Sequence, residues 1–362
     1  RKTWAFFERF VGPEDHWLPP DNYQEYRAAA LAHRTSPTNM GLALLANLSA
    51  YDFGYIPAGR LVERTAHTLA TMAGLERFRG HFYNWYDTQT LQPLRPAYVS
   101  TVDSGNLAGH LLTLRPGLLA LLDRPILEER WLDGLIDTLG IAEDAVGEAA
   151  PAALVQFRQD IESALVSRPV TLGAARHLLD HLASRADAIS AALSYESANQ
   201  AGWWAGELAR QCRTLRDELI FLAPWSGQPE APDDAPDAIP MLRALAADQR
   251  PHATQGSARA RERIAAIERL AMQAGALAEM DYGFLYDKTA RLLSIGYNVD
   301  EQRLDASYYD LLASEVRLCV FVAIAQGQLP QESWFALGRL LTSAGGAPIL
   351  LSWSGSMFEY LM

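Results

Sequence analysis

Apolar residues recur along this chain at three- and four-residue spacing over long stretches, which predicts a largely helical protein. From Ser36, with Pro37 in the first turn, the residues Met40, Leu44, Leu48 and Tyr51 mark a helix reaching about Phe53. Pro57 opens another, with Leu61, Thr65, Leu69 and Met72 on one stripe. A third is expected to begin near Asp103, capped by Asp103 and Ser104, and to run toward Leu114. Further helices are expected over 126–139, 149–166, 171–193, 198–222, 257–280, 311–325 and 334–341. Short extended runs at 78–100, 292–299 and 348–353 interrupt them, and none reads as a strand of a large sheet. Strands do not alternate regularly with helices, which argues against a doubly wound α/β fold. Paired helices with aromatic loops suggest an all-α protein built as an α/α toroid.

One predicted helix contains a conflict. The run LLASEVRLCVFVAIA (311–325) is apolar at twelve of fifteen positions, yet it places Glu315 among Leu311, Leu312, Leu318 and Cys319 at helical spacing. A helix apolar on nearly every side is usually buried. A carboxyl group there needs a partner, a pocket or a proton. Desolvation by those leucines would favour the protonated form, which suits a general acid. The structural alternative is an ion pair with a buried arginine; Arg317, two residues on, points to another helix face and is a poor partner.

Composition narrows the function. The chain has 362 residues, 49% of them hydrophobic, and a net charge of −12, with a pI near 5.2. That charge argues against sequence-independent nucleic-acid binding, which needs a basic face. The two cysteines, Cys212 and Cys319, lie in helix-like apolar runs and read as reduced core residues. The opening RKTWAFFERF lacks the apolar centre of a signal peptide. The longest apolar stretch, Leu318 to Ala325, falls far short of the roughly 20 residues that span a bilayer, so a soluble chain is expected. An abrupt start, and an end inside the apolar helical pattern WSGSMFEYLM, suggest a piece of a longer polypeptide. From Pro224 to Pro251 the chain has six prolines and the acidic cluster Asp233, Asp234 and Asp237; residues 224–257 are expected to form a surface insertion within a single domain spanning 1–362, with a domain linker as the alternative.

No Walker loop, GxGxxG after a strand, HExxH, CxxC or GxSxG elbow occurs, and the eight histidines form no ligand-spaced cluster. No cofactor and no metal are expected. Carboxylates and aromatics remain, a pairing suited to sugars, whose rings offer apolar faces to Trp and Tyr and hydroxyl edges to Asp, Asn and Arg. Residues 81–86 read His-Phe-Tyr-Asn-Trp-Tyr, and 17–23 read Trp-Leu-Pro-Pro-Asp-Asn-Tyr. Trp353 precedes Ser354, Gly355 and Ser356. In these loops sugar binding and end-plugging are both open, whereas Trp203 and Trp204 read first as helix packing.

Long strings in the chain carry a resemblance: WLPPDNYQ (17–24), HRTSPTNMGLALLANLSAYDFGYI (33–56), GHFYNWYDTQTLQPLRPAYVSTVDSGNLAGHL (80–111), MDYGFLYDKTARLLSIGYNV (280–299), SYYDLLASEVRL (307–318) and WSGSMFEYLM (353–362). Together they resemble the central glucoamylase-like domain of cyclic β-1,2-glucan synthases. The resemblance implies an (α/α)6 barrel, here incomplete toward its C-terminal end. It implies a place on the cytoplasmic side within a large inner-membrane polypeptide that also carries glycosyltransferase and phosphorylase-like domains. The implied activity is to cut linear β-1,2-glucan and rejoin it to itself with retention at the anomeric carbon. It implies Glu315 as general acid/base, and a nucleophilic carboxylate in the region after MFEYLM, so that residues 1–362 alone would be inactive.

Trp17, Asp21, Asn22, Arg34, Asn39, Asp52, Tyr55, Asn84, Trp85, Tyr86, Asp103, Ser104, Asn106, Trp353, Ser354 and Glu359 are the expected substrate contacts. Several have a structural alternative: Asp103 as a helix cap, Asp52 as a turn residue, Arg34, Thr35 and Asn39 as caps of the following helix. Glu359, set between rings, is ranked as a sugar contact or structural pair ahead of nucleophile. Two rival readings remain, an endo-β-1,2-glucanase on the same fold and a non-catalytic glucan-binding or length-sensing module.

Overall fold

The structure is a computed structural model that describes residues 1–28, 30–147, 151–194, 200–227 and 238–361. Among the described residues the α-helices are α1 (Lys2–Phe10), α2 (Pro37–Asp52), α3 (Ala58–Gly74), α4 (Thr101–Ala120), α5 (Trp131–Val146), α6 (Ala152–Val166), α7 (Leu172–Ser194), α8 (Gln200–Leu222), α9 (Leu242–Ala247), α10 (Thr254–Leu277), α11 (Val316–Ala325), α12 (Glu332–Ala336) and α13 (Met357–Leu361). The strands are two to four residues long and lie in the connections. This is the all-α class expected from the sequence. The acidic cluster at Asp233, Asp234 and Asp237 lies outside the described residues.

The chain divides into two compact units. The first holds Arg1–Trp4, Asn47–Arg64 and Gly117–Arg269; the second holds Ala5–Ala46, Thr65–Pro116 and Leu270–Met362.

In the first unit α5 packs on α6, α6 on α7, α7 on α8, and α8 also on α5. The buried residues recur every three or four positions: Trp131, Leu135 and Leu139 on α5; Leu154, Phe157 and Ile161 on α6; Leu179, Leu182 and Ala186 on α7; Leu208, Cys212, Leu215 and Leu219 on α8. Polar atoms inside this bundle find partners. Thr138 donates to Gln211 Oε1 at 2.7 Å, and Gln211 Nε2 donates to the Gly54 carbonyl at 3.0 Å. Helix α5 begins at Trp131 rather than near 126 as expected. Ile126 N–H is already committed to the Pro240 carbonyl at 3.0 Å, and Pro125 pairs with Met241 in a β-bridge, so this backbone is extended.

In the second unit short strand pairs fix the loops. Arg34–Thr35 pairs antiparallel with Tyr86–Asp87, with Arg34 opposite Asp87. Tyr98–Ser100, Gly296–Asn298 and Arg303–Leu304 form a three-stranded sheet. Leu341–Ala344 and Ala347–Leu350 form a hairpin turned by Gly345 and Gly346, both with positive φ (59° and 85°), as a tight two-residue turn requires. The core here comprises Leu18, Met40, Leu44, Leu69, Met72, Phe82, Leu107, Leu111, Tyr282 and Val320.

Helices α4 and α11 meet at their closest where α4 lacks a side chain. A Cβ on Gly105 would fall 2.3 Å from Cys319 Cβ, and the Cys319 thiol donates to the Thr101 carbonyl at 3.2 Å. Gly109, one turn on, faces Leu318 and Val322. Both cysteines are free and buried, as expected, and burial pushes the Cys319 thiol up to about 12.

Candidate functional site

Glu315 does not lie within a helix. It is the residue immediately before α11, with φ −92° and ψ 24°. The expected start at 311 fails because the preceding amides are engaged elsewhere: Leu311 N–H donates to the Gly338 carbonyl at 2.9 Å, and Leu312 N–H to Asp310 Oδ1 at 2.9 Å. Ser314 then takes the left-handed conformation, φ 48°. Helical hydrogen bonding begins with the Cys319 N–H on the Glu315 carbonyl at 3.2 Å. Leu311 and Leu312 therefore do not enclose Glu315 across a helix face, and its side chain is half-buried. The Ser314 hydroxyl donates to Glu315 Oε2.

Arg317 donates from Nη2 to the Glu359 carbonyl oxygen at 2.7 Å rather than to Glu315. The Glu359 carboxylate is buried and fully engaged. Oε1 accepts the Ser314 amide at 3.2 Å; Oε2 accepts the Ser354 amide at 2.9 Å and the Ser352 hydroxyl. Burial pushes this carboxyl up, but the hydrogen bonds from Ser352, Ser354 and Ser314 outweigh it and hold the group below its ordinary value. The loop carrying exposed Trp353 and Ser354 is thus tied to the residue next to Glu315.

Asp103 is not the cap of α4. The helix starts at Thr101, and the Ser100 hydroxyl accepts the Asp103 amide at 3.3 Å, which leaves the Asp103 carboxylate in the first turn. It accepts the Thr38 hydroxyl at 2.6 Å, and Asn106 Nδ2 donates to the same Thr38 oxygen at 3.0 Å. Asn106 Oδ1 is buried with no hydrogen-bond partner. Tyr309 joins this carboxylate to Glu315. Burial first, then the charges of Asp103 and Glu315, push the Tyr309 hydroxyl up to about 12. Its ring meets Trp353 edge-on with centroids 6.3 Å apart. Asp103, Tyr309, Glu315 and Trp353 therefore form one neighbourhood.

A second cluster brings the N-terminal string and the aromatic loop together. Arg34 pairs with Asp21 at 2.9 Å and lies 4.5 Å from the centre of the Trp85 ring. Asn22 and Asn39 both donate to Asp21, at 3.0 and 3.4 Å. Ser36, not Arg34 or Asn39, caps α2 by accepting the Asn39 amide at 3.2 Å.

Other expected contacts are placed elsewhere. Trp17 stacks on His67 with ring centres 4.6 Å apart. Asn84 donates its amide to the Tyr98 carbonyl at 2.7 Å. Tyr86 is fully buried, its hydroxyl donating to the Glu76 carbonyl at 2.6 Å. Ser104 is buried against His81 and the Ser100 carbonyl. Asp52 and Tyr55 belong to the first unit; Asp52 is exposed and 3.9 Å from Arg124, and Tyr55 donates to Asp137 at 2.8 Å. Reading the sequence missed Tyr309, Thr38 and Ser314 as parts of the site. Tyr309 lies in the string SYYDLLASEVRL, six residues before Glu315, but only the fold brings it near both Asp103 and Glu315.

A mostly helical fold, with loop-borne carboxylates, amides and aromatics gathered beside a helix start, is the class the geometry defines, and it agrees with the resemblance carried by the sequence strings. Over its whole length the chain is similar to a segment of the cyclic beta-(1,2)-glucan synthase NdvB of Rhizobium meliloti (strain 1021), at 37% identity across 379 aligned positions. The chain spans about 12% of that relative's length. A solved structure from Bacteroides fragilis NCTC 9343 that bears the name glucoamylase shares 20% identity with it, covers 32% of this chain and 28% of that one, and has a TM-score of 0.29. No protein-family model matches the chain. None of the described helices is long and apolar enough to cross a membrane.

Proposed function

We propose that this chain carries the acid/base half of a glucan-processing site that cuts linear β-1,2-glucan and rejoins it into a ring. The whole-chain similarity to a segment of a cyclic β-(1,2)-glucan synthase is the observation that carries this reading. The position of Glu315, half-buried beside Tyr309 and Trp353, supports it. In the first step the protonated Glu315 donates to the glycosidic oxygen as the C1–O bond breaks, and a second carboxylate captures C1. Retention requires that nucleophile about 5 Å from the acid. We place it outside residues 1–362, as the sequence resemblance implies. In the second step Glu315 removes the proton of the hydroxyl at the far, non-reducing end of the same glucan as that oxygen attacks C1. Water must be kept out of this step, or the product is a linear fragment.

On this reading residues 1–362 form one glucoamylase-like domain of a membrane polypeptide whose glycosyltransferase and phosphorylase-like domains handle the same glucan. Arg34, Trp85, Asp21 and Asn39 would hold glucose units. The test is product mass. The full-length polypeptide, given linear β-1,2-glucan, should release rings that lack one water relative to linear chains of equal size. Linear fragments alone would assign an endo-β-1,2-glucanase instead. Intact glucan binding without any cleavage would assign a binding or length-sensing module.

A further inference from the structure

Glu359 and Glu315 are connected through one residue. Ser314 gives its amide to Glu359 Oε1 at 3.2 Å and its hydroxyl to Glu315 Oε2. Ser314 does this from the left-handed region, φ 48°, which a non-glycine residue occupies only at a conformational cost. An amide donated to an ionised carboxylate is about twice as strong as a neutral hydrogen bond, enough to offset that cost. The carboxylate is itself fixed by the Ser354 amide at 2.9 Å and the Ser352 hydroxyl, and its own backbone carbonyl receives Arg317 at 2.7 Å. Glu359 is buried, and both of its carboxylate oxygens accept hydrogen bonds from the protein.

We propose that Glu359 is a positioning residue for Glu315, acting through Ser314; this rests on the reading of Glu315 as the general acid/base. Glu359 holds Ser314 left-handed, Ser314 holds Glu315 Oε2, and Oε1 is thereby the oxygen that carries the catalytic proton. A hydrogen bond accepted by one carboxyl oxygen leaves the other for protonation, so the arrangement fixes which oxygen faces the glycosidic bond. The same carboxylate sets the Trp353–Ser354 loop, so the orientation of the acid and the placement of the Trp353 ring are governed together.

The experiment compares Glu359→Gln, Glu359→Asp, Ser314→Ala and Glu315→Gln in the full-length polypeptide, on two substrates. One is linear β-1,2-glucan; the other is a β-1,2-gluco-oligosaccharide with a nitrophenyl leaving group, which departs with little protonation. Misplacing a catalytic group by about 1 Å lowers rate ~10²-fold. We expect kcat on linear glucan to fall by about that factor in Glu359→Gln and Ser314→Ala, with KM unchanged and with the double variant no worse than either single one. Glu359→Asp should recover part of the loss. The first-turnover burst of nitrophenolate should be nearly normal in both, because that step does not need the acid. Unchanged kcat on linear glucan in folded Ser314→Ala or Glu359→Gln protein overturns the proposal. Equal losses on both substrates also overturn it, since they mean general damage to the fold. Full turnover by Glu315→Gln would instead remove the acid role of Glu315, a separate outcome.

Discussion

A Cβ placed on Gly105 would sit 2.4 Å from the Cα of Cys319, so the absence of a side chain on α4 sets how near the start of α11 can come. That contact lies half a turn from Asp103 and one turn from Glu315. Gly105→Ala must push backbone apart rather than a flexible side chain. We expect destabilisation at or above the roughly 1–3 kcal/mol usual for overpacking, read as a lower urea midpoint. Gly109→Ala meets only side-chain atoms of Leu318 and Val322, at 3.2–3.5 Å, and should cost under about 1 kcal/mol. Equal effects at both positions would refute this account of the contact.

His81 predicts an acid limit to stability. Its Nε2 lies 2.8 Å from the Asp281 carbonyl, which can only accept, so Nε2 carries the hydrogen; the Ser104 hydroxyl, 2.8 Å from Nδ1, has one hydrogen to share between that nitrogen and the Ser100 carbonyl at 2.8 Å. Burial lowers the imidazole to about 4, against the opposing pull of the Asp281 carbonyl and carboxylate. The folded value is below the unfolded one, so the unfolded chain binds the extra proton first. The contribution is fully present above about pH 6.5 and is lost as pH falls through about 4, on the order of 3 kcal/mol in all. The His81 ring resonances should not titrate above pH 5. A midpoint near 6.5 by NMR contradicts the buried neutral form.

Tyr309→Phe keeps the ring against Trp353 and removes the hydroxyl near Asp103 and Glu315. On the proposed function, turnover of linear β-1,2-glucan by the full-length polypeptide should fall by about tenfold, the effect of roughly 1.4 kcal/mol in the transition state, with little change in thermal stability. Tyr309→Ala should weaken glucan binding as well, because it also strips the partner of Trp353. Unchanged kinetics in the Phe variant would place the hydroxyl outside the reaction.

Arg34→Ala tests the second cluster. The Arg34–Asp21 pair is partly exposed, and such pairs contribute only about 0–1 kcal/mol to stability. Melting should therefore barely move. Calorimetric affinity for linear β-1,2-glucan should drop by roughly tenfold, with a smaller loss for Arg34→Lys, which keeps charge but cannot stack its flat face on Trp85. Unaltered affinity would assign the cluster to packing alone.

The long helices were legible because their apolar residues repeat at 3.6-residue spacing: α2, α3, α6, α7 and α8 lie within a few residues of their expected ranges. The failures occurred where a hydrogen bond from a distant residue overrides local pattern. The run from 126 reads as helix, but Pro125 and Ile126 are committed to Met241 and Pro240; the run from 311 reads as helix, but Leu311 and Leu312 surrender their amides to Gly338 and Asp310. Helix α1 went unpredicted, its aromatic and charged residues being read only as lacking a signal-peptide pattern. At the site, Glu315 stood out because a charge in an apolar run is a local anomaly. Ser314, Thr38 and Tyr309 are ordinary residues whose roles come from neighbours 45, 65 and over 200 positions away, which no window of sequence displays.

The two thiols offer a way to watch the units separately. Cys319 is sealed at the seam between α4 and α11, and Cys212 is sealed inside the α5–α8 bundle. Neither can react with an alkylating reagent until its surroundings open. The rate at which each becomes labelled is therefore a clock on breathing at one address, with the other as its internal reference. Glucan that slows only the Cys319 clock would be clasping the carboxylate neighbourhood, without any need for turnover to report it.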